Sequence, residues 1–209
     1  MTPPLRIDAR GSRDRLPPGQ VETRKWPVLH AGRVPDVKLD RWRLGVTGLV
    51  ERPLSLTWDE LGALPRQETA CDIHCVTRWS RFDNVFGGIP VRSLLALAGV
   101  RPEARYVLVH AEHGFTTNLP LPDLDREANL LALTHNGEPL TPEHGGPVRL
   151  VVPHLYFWKS AKWVTGFELL AEDRAGFWEE GGYHMRGDPW HEERFRRPDP
   201  VRMRRGERP

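Results

Sequence analysis

Cysteine and lysine are both scarce in this chain of 209 residues, and long hydrophobic runs are missing. The two cysteines, Cys71 and Cys75, lie four positions apart, so a disulfide scaffold is excluded, and two thiols on one strand face do not bridge each other. No apolar stretch approaches the roughly 18 residues that span a membrane. The N-terminus carries no apolar run of signal-peptide length either, its one short cluster being broken by Pro27. A cytoplasmic protein without a membrane partner is expected. Neither a Walker glycine-lysine motif nor G-x-G-x-x-G occurs, which makes nucleotide phosphates poor ligand candidates.

Lysine is confined to Lys25, Lys38, Lys159 and Lys162, so nearly all of the 30 basic side chains are arginines, whose planar fork suits bidentate contacts to phosphate or carboxylate. Against 28 acidic residues the formal net charge is +2, too small to imply a nucleic-acid partner. A composition of 39% hydrophobic and 28% charged residues is that of a soluble globular protein, long enough for one domain with a sizeable core.

Residues 1–25 are rich in Pro, Arg and Asp without periodicity, an arm that is extended or disordered unless docked. Residues 26–190 hold the periodic segments and form the domain. Residues 191–209 read as an Arg-rich tail, with the arginines from Arg194 to Arg208 in solvent.

Within the domain, Trp42, Leu44 and Val46 alternate as a half-buried strand ending at Gly48. Thr57 with Glu60 is a capping box opening a short helix from Trp58. Val91, Leu94, Leu95 and Ala98 fall at helical spacing before Gly99. Further strands are expected over Arg105–Glu112, Asn129–Thr134, Val148–Val152 and Trp163–Leu170, with a type I′ turn at Asn136-Gly137. Short helices among many strands predict an α+β fold with mixed β-sheets.

The stretch ETACDIHCVTRWSRFDNVFGGIP, Glu68 to Pro90, reads as a strand over Thr69–Val76 that runs into a polar, aromatic loop, a way of presenting one side chain at a cavity mouth. Alternation sends Cys71, Ile73 and Cys75 to one face and Asp72, His74 and Val76 to the other. Cys71 then belongs to the core, while Cys75 at the strand's end reaches the loop. His74 and Arg78 flank it, an electropositive setting that favours the metal-binding thiolate. A buried cysteine serving as a small hydrophobe is the plainer alternative. Further along, Arg149 is the one charge in an apolar strand and needs a partner, for which an ion pair is the ordinary solution.

The run HCVTRWS with the following GGIPVRSLL resembles the molybdopterin-binding domain of the sulfite oxidase family, in its small single-domain bacterial and archaeal branch. The likeness continues through WRLGVTGLVERPL (Trp42–Leu54), TTNLPL (Thr116–Leu121), NGEPL (Asn136–Leu140), HGGPVRLVVP (His144–Pro153) and KSAKW (Lys159–Trp163), in the family's order. It implies a mononuclear molybdenum held by the Cys75 thiolate and the two sulfurs of one pyranopterin dithiolene, with no haem. It also implies that His30, Thr117, His144, Arg149, Ser160, Ala161 and Lys162 contact the pterin cofactor. His30, His74 and Arg78 become candidates for guiding a small polar or anionic substrate and moving protons. Oxygen-atom transfer with an external electron donor or acceptor is the implied activity, from a monomer or weak homodimer.

Two positions depart from true sulfite oxidases. Those enzymes have an arginine in the loop that here reads Val28-Leu29-His30, and a tyrosine where this chain has Phe115. The reductase branch that acts on protein-bound methionine sulfoxide shares the cysteine loop, but its members carry an export signal. Two other readings stay open: a zinc site from Cys71, His74, Cys75 and a distant histidine such as His113, and a non-catalytic pterin-binding module.

Overall fold

Alternating apolar residues generate two β-sheets in the computed structural model, which describes residues 5–6 and 15–196. The strands are β1 (Leu5–Arg6), β2 (Val21–Glu22), β3 (Arg43–Gly48), β4 (Leu54–Thr57), β5 (Gln67–His74), β6 (Trp79–Pro90), β7 (Tyr106–Ala111), β8 (Thr116–Pro120), β9 (Leu130–His135), β10 (Glu138–Pro139), β11 (Arg149–Val151) and β12 (Val164–Leu170). Between them lie the short helices α1 (Trp58–Gly62), α2 (Val91–Ala98), α3 (Leu121–Leu124) and α4 (Phe177–Glu180). One sheet runs β1-β5-β6-β9-β10, with β11 added on β9 and β2 on β6; the other runs β4-β3-β12-β7-β8. The pairs β1–β5, β2–β6 and β3–β12 are parallel and the others antiparallel, so both sheets are mixed. The α+β expectation holds.

Local signals act as the sequence predicts. Thr57 and Glu60 exchange side-chain-to-backbone bonds at the start of α1, satisfying two of its orphan donors. α2 buries Val91, Leu94, Leu95 and Ala98 and stops at Gly99, whose φ of 68° is left-handed. Asn136 and Gly137, with φ of 51° and 84°, turn β9 into β10.

The main core lies between the sheets, where Leu44, Val46, Val107, Val109, Phe167 and Leu169 meet Leu131, Leu133 and Leu150. A second cluster, with Cys71, Ile73, Phe86, Leu130, Ala132 and Phe157, covers the other face of the first sheet. β9 alternates between the two clusters, which is why its sequence is apolar at every position from Leu130 to Leu133.

The N-terminal arm, extended or disordered unless docked, is docked where it is described: β1 lies along β5, β2 along β6, and Arg15 makes a two-pronged bond to Asp72 at 2.5 and 2.7 Å. Two expectations need correction. The Cys75 strand ends at His74 instead of Val76, with an irregular register between Cys71 and Ile73, and Cys71 through Cys75 are all buried. Arg194, placed in a solvated tail by the sequence, is 5% exposed. The rest of that arginine run, beyond residue 196, lies outside the described residues. Among the described residues no helix is long and apolar enough to cross a membrane.

Candidate functional site

Cys75 sits just past the end of β5, in a turn closed by its own backbone. Its N–H donates to the Trp79 carbonyl at 2.8 Å, and its carbonyl accepts from Arg78 N at 3.0 Å and from Gln20 Nε2 at 3.0 Å. Arg78 takes a left-handed φ of 74° to complete the turn. Arg194 Nη1 donates to the Val76 carbonyl at 2.6 Å, so a segment 118 residues distant pins the loop. The thiol lies 3.1 Å from the Thr77 hydroxyl. Burial pushes the thiol's pKa up, while Thr77 and the charge of Arg194 act against it.

The flanking residues behave differently from expectation. His74 is buried with Nδ1 2.8 Å from Ser80 Oγ, and burial brings its pKa down to about 4, leaving it neutral near pH 7. Neither it nor Arg78 lines the cavity beside Cys75. Arg194 supplies the positive influence on the thiol.

That cavity has a volume of about 550 Å³ and is walled by Cys75, Arg149, Ser160, Ala161, Lys162 and a large set of aromatic rings. Arg149 is 1% exposed, and no carboxylate among the described residues pairs with it. Its Nη1 and Nη2 donate to the carbonyls of His144 and Ser160, each at 2.8 Å, and its guanidinium lies 4.2 Å from the centre of the Phe157 ring. Burial lowers its pKa to about 9, which still leaves it charged at neutral pH. The ordinary ion-pair solution is therefore not used.

Lys162 joins Arg149 on the wall, with Nζ 2.5 Å from the Glu143 carbonyl. Burial, reinforced by the charge of Arg149, brings its pKa down to about 7. Ser160 contributes indirectly: its hydroxyl accepts from Val152 N at 2.9 Å and its carbonyl orients Arg149. Ala161, 2% exposed, keeps that part of the wall low. His30 is exposed at the rim, edge-on to Trp163 at 5.5 Å.

Two expected cofactor contacts stand back from the cavity. Thr117 is fully buried and spends its hydroxyl on Glu179 at 3.0 Å. His144 stacks on Trp26 at 4.0 Å and positions Arg149 through its carbonyl. Lys159, the other ammonium of KSAK, is buried behind the wall against Glu179 at 2.6 Å. Cys71, His74, Cys75 and His113 are not assembled into a zinc site; among the described residues no three His, Cys, Asp or Glu side chains cluster to hold a metal.

Sequence reasoning passed over Trp26, which packs against Phe86, His135, His144 and Phe157, and gave Tyr183 no place in the cavity. The density of aromatics in FWEEGGY was a signal for the second, but its direction could come only from the fold.

The donor set suits a metal that takes one protein thiolate and draws its other ligands from a cofactor, and the buried, carboxylate-free Arg149 suits an anionic group on that cofactor.

Comparison with known proteins agrees. The family described as the oxidoreductase molybdopterin binding domain matches residues 31–178. The chain is 56% identical over 182 residues to the uncharacterized oxidoreductase YuiH of Bacillus subtilis, covering 87% of this chain and 92% of that one. It is 29% identical over 154 residues to a protein of Azospira oryzae with the provisional name protein-methionine-sulfoxide reductase subunit YedZ1, covering 74% and 58%. The sulfane dehydrogenase SoxCD of Paracoccus pantotrophus has a similar structure, with a TM-score of 0.61 and 28% identity over 66% of this chain and 40% of that one.

Proposed function

This chain belongs to the oxidoreductase molybdopterin-binding family and has its sulfite-oxidase-like fold, and from that premise we propose oxygen-atom transfer with one mononuclear molybdenum carried by Cys75 and one pyranopterin dithiolene. The observation that carries this reading is a buried guanidinium without a carboxylate partner in the same cavity as a thiol. Arg149 and Lys162 hold the anionic end of the cofactor, Arg149 by a fixed planar fork and Lys162 as a point charge. Ser160 and His144 orient Arg149 through their carbonyls. Trp26 and Phe157 flank the guanidinium, at 5.6 and 4.2 Å from its carbon to each ring centre.

When bound, the cofactor supplies the two-electron change and the soft centre for oxygen transfer. An oxygen atom gained by the substrate comes from water, with two protons and two electrons released; the reverse direction consumes them. The electrons pass to or from an external carrier. His30 and His113, both exposed on the cavity lining, are the histidines placed to exchange protons, because His74 is buried off the lining.

The test is metal and pterin content of protein made in a host that synthesises the cofactor. Near-stoichiometric molybdenum and pterin are expected, with Cys75→Ser keeping pterin but changing the metal's spectrum, and Arg149→Met losing pterin. Zinc, or a folded protein with no metal, contradicts the reading. Pterin without turnover on any oxo donor or acceptor favours a binding module.

A further inference from the structure

Residues 24–33 run along the cavity with little backbone attachment to the rest of the fold. Trp26, Pro27, Leu29, His30, Ala31 and Gly32 all line it. Upstream, the chain is held by β2 on β6 and by Thr23 N, which donates to the Ser80 carbonyl at 2.8 Å. Downstream, the next backbone bonds run from Arg41 and Trp42 to the Lys38 carbonyl, at 3.1 and 2.9 Å. Among the described residues, no backbone-to-backbone hydrogen bond reaches residues 24 to 37, and no helix or strand falls there.

Side chains do the fastening instead. The Trp26 ring stacks on His144 with planes 26° apart, lies 4.3 Å from His135 and meets Phe86 edge-on at 5.7 Å. His144 Nε2 donates to the Trp26 carbonyl at 3.2 Å, and Arg81 Nε to the Arg24 carbonyl at 3.4 Å. Gly32 follows at a left-handed φ of 67°, with nothing within 4 Å of where a side chain would start, which leaves the chain room to pivot.

Trp26 also covers the cationic wall. Its ring lies 5.6 Å from the Arg149 guanidinium, and its partner His144 holds that guanidinium through its carbonyl. Arg149 is 1% exposed, so an anionic group reaches it only when a covering element moves. Its other cover is anchored: Ser160 N donates to the Phe157 carbonyl at 3.2 Å, and β11 is paired along β9. Local opening costs least where few backbone bonds and buried contacts are lost, which singles out the Trp26 segment.

Resting on the cofactor reading above, we infer that residues 24–33 are a gate that swings out to admit the pterin cofactor and closes over its anionic end, with Trp26 as the latch. Trp26 is then a positioning residue, acting on the cofactor through Arg149 and His144. A cofactor held beneath it adds contacts to the closed form and shifts the population toward that form.

The experiment is limited trypsin digestion of the full chain, made in a host that synthesises the cofactor and in the same host with that synthesis disrupted. Molybdenum and pterin are assayed on both preparations. Arg24, Lys25 and Arg33 are exposed cleavage points on the gate, and Arg66 is an exposed one outside it. Cleavage of a segment that opens and recloses rapidly follows the population of its open form. Cuts after Lys25 and Arg33 are expected to be about tenfold slower in loaded protein, with the cut after Arg66 unchanged. Trp26→Ala restores cutting after Arg33 in loaded protein and speeds pterin release on dilution about threefold to tenfold, the range of one lost ring stack; Trp26→Phe recovers most of the difference. If Trp26→Ala does not fold, the two preparations of the parent decide alone. Equal cutting of the gate in both, equal slowing at Arg66, or pterin release from Trp26→Ala at the parent's rate each overturn the gate while the cofactor reading stands. Protein without molybdenum and pterin from the cofactor-making host defeats that reading and the gate together.

Discussion

Lys159→Met isolates a buried ion pair that holds the aromatic wall in place. Lys159 and Glu179 are both 0% exposed and 2.6 Å apart. The ammonium also donates to the Asn118 carbonyl and Oδ1, each at 2.8 Å, and to the Met185 carbonyl at 2.6 Å. Glu179 lies in α4 beside Phe177 and Trp178, and accepts from Thr117 at 3.0 Å and Trp158 at 2.8 Å. Burial lowers the pKa of Lys159, and the charge of Glu179 opposes it most strongly.

Removing the ammonium leaves a buried carboxylate with only neutral donors and takes the donor from three oxygens, the carbonyls of Asn118 and Met185 and Asn118 Oδ1. Breaking one side of such a pair costs about 3–5 kcal/mol. For a chain of this length that lowers Tm by roughly 6–20 °C. Adding Glu179→Gln removes the uncompensated charge, so the double variant recovers about 1–3 kcal/mol relative to additivity. Urea denaturation of the two single variants and the double variant measures the cycle. A cost below about 1 kcal/mol for Lys159→Met, or no recovery in the double variant, refutes the assignment of Lys159 as a structural cation. Lys159→Met also keeps its pterin at temperatures where it is folded, whereas Lys162→Met, on the cavity wall, loses it.

Arg194→Met removes a charged donor from the Val76 carbonyl and should cost about 1.5–3 kcal/mol in urea, with faster amide exchange in residues 76–79; unchanged exchange contradicts its role as a brace for the loop. Asp123 is pushed up by burial, but hydrogen bonds from His154 and Arg186 and their charges outweigh this and hold it well below the usual carboxylate range. Its folded pKa being depressed, its stabilisation is present above the unfolded value of about 3.9 and fades as pH falls below it. Asp123→Asn therefore lowers Tm at pH 7, and the gap to the parent narrows steadily as pH falls below about 4; a constant gap from about pH 4 to 2 counts against the cluster. Gly88→Ala drives a Cβ into the Leu131 carbonyl of β9 and costs about 3 kcal/mol, whereas Gly62→Ala, in α1 with nothing within 4 Å, gains about 0.5–1 kcal/mol; equal effects in thermal melts would refute the steric account.

The sequence by itself determined what neighbours along the chain control. The capping box of Thr57 and Glu60, the left-handed stop at Gly99 and the Asn136-Gly137 turn depend on groups a few residues apart, and each appears as read. Quoted motifs also placed the chain in its family and put Cys75 and Arg149 at one cavity. Tertiary structure alone decided which polar groups remain for a ligand. Lys159 and Lys162 are three residues apart in one motif, yet Glu179 takes the first and leaves the second on the wall. Thr117 loses its hydroxyl to the same carboxylate, 62 residues away. His74 turns to Ser80, and Arg194 folds in beneath a carbonyl 118 residues earlier. A buried polar side chain must find a partner, and that partner comes from whichever segment the fold brings beside it. Periodicity and motifs report the position of such a group, but its remaining capacity to bind is a property of the packed chain.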